Sequence, residues 1–273
     1  MDLNFWNIIT LLLIVLTIIP IWRQKWIECQ RFRLMRKIEK KRGSRLITLI
    51  HRQELLSLLG IPLTKYINIE DSEKILRVIR ITPPNTPIDL VLHTPGGVVL
   101  AAEQIARALL NHPAEVRVII PHYAMSGGTL IAIAADKILM DKNGVVGPVD
   151  PQVGRYPAVS ILRAVDQKDR NRVEDETLIL ADIAEKAVRQ VENSLYEIMA
   201  DRMGAEKARE LARILTEGRW THDYPIHCQA MQELGFPIHC EVPEEIYQLM
   251  DFYSQPLQRR TSVDYLPTSG QEA

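Results

Sequence analysis

Cysteine is scarce in this 273-residue chain, with only Cys29, Cys228 and Cys240. An odd count without framework spacing predicts that disulfides do not hold the fold. The pairs His227-Cys228 and His239-Cys240 lack the close C-x2-C spacing of structural zinc sites, so no metal is expected. Aromatic residues make up 6% of the chain, and G-x-G-x-x-G is absent, which removes a dinucleotide cofactor from consideration. No internal repeat is evident. Charge of one sign is missing overall, the net charge being −1. That balance conceals an opposition: residues 1–45 carry ten Lys/Arg against Asp2, Glu28 and Glu39, a local charge of +7, and the other 228 residues carry −8. Such asymmetry predicts a basic arm beside an acidic domain, and the acidic domain argues against a nucleic-acid partner.

Charge is also absent from Phe5 to Trp22, 18 residues that just span a hydrocarbon core of about 30 Å as a helix. Trp6 and Trp22 sit at the two ends, where interfacial aromatics belong, and Pro20 lies where a helix break costs little. The basic residues follow the run instead of preceding it, and no small-residue cleavage site comes after it, so a cleaved signal peptide does not fit. Residues 1–22 are therefore predicted to be a single transmembrane anchor. The positive-inside rule places the domain behind it in the cytoplasm. Residues 23–45, with Trp26, Ile27, Phe32, Leu34, Met35 and Ile38 among the charges, read as a basic juxtamembrane helix lying on anionic lipid.

From Leu46 onward, short apolar runs alternate with helical patterns, predicting an α/β fold with a mainly parallel sheet over 46–253 and a flexible tail over 254–273. Strands are expected at Leu46–Ile50, Ile88–His93, from Val116, and at Lys137–Met140. Helices are expected at Asp71–Ile81, capped by Asp71 or Ser72, after Gly97, after Gly128, at Glu174–Met203 and at Gly204–Leu215. Gly144–Pro157 reads as a loop. Two strand-to-helix junctions carry glycine pairs 31 residues apart, Thr94-Pro95-Gly96-Gly97 and Ala124-Met125-Ser126-Gly127-Gly128. In βαβ order they come side by side at one sheet edge, where open α/β sheets place their sites.

Ser126 at such an elbow is either a nucleophile or a helix cap. The backbone N–H groups of Gly97 and Gly127 can converge there as the two donors of an oxyanion hole, which acyl transfer requires. His93 and His122 end adjacent strands and either line the cleft or are satisfied strand-end histidines. Asp141 reads as a turn residue, while Arg155 and Tyr156 are loop residues in reach of a substrate chain.

With HTPGGVVLAAEQIA, HYAMSGGTLIAIAADKILM and EGRWTHDYPIHCQAMQELGF in view, the sequence resembles the Clp protease and crotonase fold of signal peptide peptidase A type membrane peptidases. More closely, Leu46 to Met250 is similar to the serine dehydrogenase proteinase family, through PHYAMSGGT, GPVDPQ and GRWTHDYP. That resemblance implies Ser126 as nucleophile, Gly97 and Gly127 as oxyanion donors, and Asp150 and His222 completing a triad. A Ser/Lys dyad with Lys168 is the alternative base. It further implies a membrane-anchored serine endopeptidase that works on peptides through an acyl-enzyme without cofactor and assembles as a homo-oligomer; membrane-protein fragments as substrates are an expectation from the anchor alone. A scaffold without catalysis, or an acyl-CoA enzyme of the same fold, are the competing expectations.

Overall fold

The computed structural model describes the backbone of residues 5–52, 54–56, 61–63 and 65–253, and their side chains apart from 5–17, 20, 54–56, 61–63 and 170. In chain order the elements are α1 (Phe5–Arg42), β1 (Arg45–Ile50), β2 (Glu54–Leu56), β3 (Ile61–Leu63), α2 (Ile69–Ile81), β4 (Ile88–His93), α3 (Val99–Leu110), β5 (Val116–Ile120), β6 (Tyr123–Ala124) and α4 (Gly127–Ile133). There follow β7 (Lys137–Met140), β8 (Val145–Val146), β9 (Gln152–Val153), β10 (Tyr156–Pro157), α5 (Ala158–Asp166), α6 (Asp175–Met203), α7 (Ala205–Thr216), β11 (Ile226–His227), α8 (Cys228–Glu233), β12 (Ile238–His239) and α9 (Glu244–Asp251).

Five strands form one parallel sheet in the order β1-β4-β5-β7-β12. The α/β expectation with a mainly parallel sheet holds. All six residues of β4 are buried, as an interior strand covered on both faces requires, and Ile88 and Leu90 to Leu92 supply its apolar part. A second, three-stranded sheet, β11-β8-β6, stands where β5 leads on into β6. The segment predicted as the Gly144–Pro157 loop thus contributes β8 to that sheet and a β9–β10 hairpin. Helix α2 begins earlier than expected, because Asn68 and not Asp71 caps it: the Asn68 side chain accepts from the Asp71 N–H while the Asp71 carboxylate accepts from the Asn68 N–H.

Two expectations need correction. Cys228 and Cys240 form a disulfide, leaving only Cys29 free. The cysteines are 12 positions apart, and the rest of α8, a turn at Gly235 and β12 fold back between them so that the two Cα atoms lie 5.8 Å apart, within bridging range. Helix α1 also runs on through Pro20 as one element to Arg42, and its last turns belong to the folded domain. Ile38 is buried with Ile246, Leu249 and Met250 of α9, and Leu34 and Met35 pack on the same cluster. Part of the face assigned to lipid is therefore spent on protein, while Trp22, Trp26 and Phe32 stay exposed. Among the described residues no helix is long and apolar enough to cross a membrane. The uncharged run Phe5–Trp22 falls largely on side chains outside that description, as does the tail predicted over 254–273.

Candidate active site

Both glycine junctions leave the sheet at the C-terminal ends of neighbouring strands, β4 directly and β5 through β6. Thr94 and Ala124 pair as a parallel bridge, with Thr94 N–H donating to Tyr123 O at 3.2 Å and Met125 N–H to Thr94 O at 3.0 Å. The predicted side-by-side placement is therefore present. Gly96 has φ +105°, and a Cβ there would come within 2.9 Å of Met125 O and of Ser126 Cβ. At Gly97 a Cβ would lie 2.3 Å from Ile67 O, since Ile67 brackets this residue on one edge: Ile67 N–H donates to Gly96 O and Val98 N–H to Ile67 O, both at 2.8 Å. Only glycine permits so close a backbone approach.

Ser126 occupies φ 50°, ψ −114°, the one positive φ of a non-glycine residue among those described. A strained backbone costs on the order of 1–3 kcal/mol and persists where the surroundings enforce it. Ser126 makes no side-chain cap bond to α4, so capping does not account for it. The N–H groups of Gly97 and Gly127 have no hydrogen-bond partner among the described residues. They also lie close together, an ideal Cβ on Gly127 falling 3.7 Å from Gly97 N. Two free donors beside a strained serine form an anion-stabilising corner.

That corner opens on a cavity of ≈ 270 Å³. Val99, Leu130, Val149 and Val191 make its wall apolar, and Ser126, Asp150 and His222 all face it. His222 Nδ1 is 2.7 Å from Asp150 Oδ1, and Gln152 Nε2 donates to Asp150 Oδ2 at 2.9 Å. Asp150 is buried, whereas His222 is half-buried. The bond from Asp150, acting against burial, raises the His222 pKa above its ordinary 6.5. With Nδ1 committed to the carboxylate, Nε2 is the ring nitrogen left to take a proton. No hydrogen bond joins Ser126 to His222 among the described residues, and both flank the space a substrate would fill. Larger clefts of ≈ 680 and ≈ 390 Å³ lie around the α6–α7 turn and hold no serine or histidine.

The alternative base is not brought to this cavity. Lys168 follows α5, is exposed, and does not line it. His93 is buried with Nδ1 unpartnered, and burial holds its pKa down at about 4, while His122 is exposed; neither lines the cavity. Asp141 is a turn residue as expected, accepting from Asn143 N–H and bonded to Tyr247. Arg155 and Tyr156 are exposed beside the β9–β10 turn. Two contributors escaped prediction. Thr129 Oγ1 donates toward Ala124 O and Gly147 O, at 2.9 and 2.8 Å, and accepts from Gly147 N–H, pinning the Asp150 loop to the Ser126 helix. Gln152 orients Asp150. Both stand inside the motifs PHYAMSGGT and GPVDPQ, and that position was their only visible signal.

Two relatives are uncharacterised proteins of Methanocaldococcus jannaschii. One is 57% identical over 257 residues, covering 94% of this chain and 90% of its own. The other is 54% identical over 267 residues, covering 98% and 90%. Among solved structures, ClpP1 of Listeria monocytogenes aligns with a TM-score of 0.46 and 16% identity over 77% of this chain and 98% of its own. The model of the ClpP-like SDH-type serine proteinases matches residues 1–273, and the chain belongs to that family.

Proposed function

We propose that this protein is a membrane-anchored serine endopeptidase using Ser126, His222 and Asp150. The observation that carries the reading is the strained Ser126 elbow between two unpartnered N–H groups, because acyl transfer is the chemistry that uses a nucleophile and an oxyanion hole together. Ser126 Oγ attacks the peptide carbonyl while its proton passes to His222 Nε2. The oxygen, now negative, is held by Gly97 and Gly127 N–H. The imidazolium, stabilised by Asp150, returns the proton to the leaving amine as the C–N bond breaks. Water, deprotonated by the same imidazole, then hydrolyses the acyl-enzyme and frees Ser126. One edge of the Gly96–Val98 segment is taken by Ile67, so an extended substrate would add along the other edge, where the peptide groups of exposed Gly97 are available. No step needs a cofactor. Labelling by a fluorophosphonate probe that is lost in Ser126→Ala tests the reading.

The pH dependence follows from His222. As the base it must be neutral, and its pKa lies above 6.5 because Asp150 favours the imidazolium. Activity is therefore expected to rise with pH through an inflection above 6.5, and in Asp150→Asn the inflection moves down as the residual rate falls. An unchanged inflection in that variant would remove His222 as the base.

The anchor supports a membrane location: residues 5–22 carry no charge and ten basic residues follow by position 45. The catalytic domain would face the cytoplasm and meet peptide or membrane-protein substrates there, as a homo-oligomer. Full-length protein is expected in carbonate-washed membranes, and a variant lacking residues 1–22 in the soluble fraction. Recovery of both in the soluble fraction would refute the anchor.

A further inference from the structure

An oxyanion donor is effective only if it is held in place before the charge develops. Gly97 N–H belongs to a two-glycine turn, Gly96 buried and Gly97 exposed, with no side chains of its own to hold it. A chain of polar groups outside the reaction does so. His51 closes β1, is buried, and donates its own N–H to His93 O at 2.7 Å. Its Nε2 lies 3.3 Å from Asp71 Oδ2 and its Nδ1 2.9 Å from Thr94 Oγ1. Thr94, fully buried, accepts from Gly96 N–H on the same hydroxyl at 3.2 Å. Asp71 also closes the Asn68 capping box, one residue after the Ile67 that brackets Gly97. The main chain of Thr94 is bonded to Tyr123 and Met125, immediately before Ser126.

Chemistry assigns a single role to each atom in this chain. Burial, opposed by Asp71 and reinforced by Lys65, pushes the His51 pKa below 6.5, which favours the neutral ring. A carboxylate at Nε2 places the ring proton there, which leaves Nδ1 as an acceptor. The Thr94 hydroxyl hydrogen then goes to Nδ1, the shorter of its two options, since Gly96 O is 3.3 Å away. A lone pair of Thr94 Oγ1 is left for Gly96 N–H.

We propose that His51 is a positioning residue for peptide hydrolysis: held by Asp71, it orients the Thr94 hydroxyl, which fixes the Gly96–Gly97 turn so that Gly97 N–H meets the oxyanion. The inference rests on the serine-peptidase reading. It predicts that Thr94→Val and His51→Gln lose reaction rate and keep substrate affinity, because neither residue touches the substrate.

The test uses the full-length protein. A fluorophosphonate–rhodamine probe reports on the oxyanion hole, since its phosphoryl oxygen occupies it, and fluorescein-labelled casein gives kcat and KM. Thr94→Val and His51→Gln should each lower kcat and the labelling rate constant by about 10- to 100-fold, somewhat less than outright loss of an oxyanion donor, with KM within about two-fold. Thr94→Ser, which keeps the hydroxyl, should restore most of the rate. The double variant should be no slower than the worse single one, as expected for residues acting in one chain. His51→Gln and Thr94→Ser keep the comparison alive if Thr94→Val does not fold. Folded His51→Gln labelled at the wild-type rate, or a rate loss that only follows the folded fraction, overturns the proposal. Wild-type protein that is not labelled at all overturns the peptidase reading instead.

Discussion

Replacing Ser126 by Ala is expected to abolish labelling by a fluorophosphonate and to lower kcat on the order of 10⁴–10⁶-fold. The substitution removes one oxygen from a residue that makes no side-chain cap bond, so folding and melting temperature should stay near wild type. His222→Ala should cost a similar factor, because an alcohol without its base is a poor nucleophile at neutral pH. Combining the two should cost little more than either alone, the non-additivity expected when residues share one proton transfer. Lys168→Ala separates the triad from the dyad, and wild-type rates are expected since Lys168 is exposed and does not line the cavity. Equal labelling of wild type and Ser126→Ala would place the reactive group elsewhere. Folded wild-type protein that takes no label would turn the assignment toward a scaffold or an acyl-CoA enzyme.

How much of this was legible follows from the kind of signal each residue leaves. Strands β4 and β7 read directly, because a strand inside a parallel sheet has to be apolar on both faces and Ile88–His93 and Lys137–Met140 are bounded by turn residues. The elbow at Ser126 was visible through its two glycines. The strands β6, β8 and β11 were not, since two residues cannot display a period. Asn68 was hidden among Asn68, Asp71 and Ser72, three residues with equal claims to a cap. The Asp150–His222 bond spans 72 positions and has no local signature, so it was reached only through the resemblance of GPVDPQ and GRWTHDYP to a family. The His51–Asp71–Thr94 chain was missed for the same reason: it is assembled from three separate elements, and a lone histidine after an apolar strand looks like any strand end. The disulfide was obscured by an odd cysteine, Cys29, that takes no part in it.

The second large effect is expected far from the chemistry, at Asp89. This carboxylate is fully buried near the start of β4 and accepts from two guanidinium groups. Arg42 Nε and Nη2 reach its two oxygens at 2.7 and 3.2 Å, and Arg117 Nε and Nη2 reach them at 2.6 and 3.2 Å, with Ser44 Oγ bonded to one of them as well. Burial raises the Asp89 pKa, but the bonds from Arg42 and Ser44 and the charges of both arginines outweigh it, and the net shift is downward. Asp89→Asn removes the buried counter-charge of two part-buried guanidinium groups, leaving Arg117 only the Glu115 carboxylate at 3.3 Å, and is expected to cost about 3–5 kcal/mol of stability, measured by urea unfolding at pH 7. The sign of the pH dependence is fixed by the depressed value: the stabilisation is complete above the unfolded carboxylate pKa of 3.8 and is lost as pH falls through the lower folded one. Wild type and variant should therefore differ most at neutral pH and converge in acid. A cost under about 1 kcal/mol would mean that water reaches the site and screens the pair. Arg42 is the last residue of α1, while Lys41 beside it pairs with Glu245 of α9 at 2.9 Å. These basic residues are thus bonded to protein, and the bond from Arg42 to β4 ties the C-terminal end of α1 to the sheet.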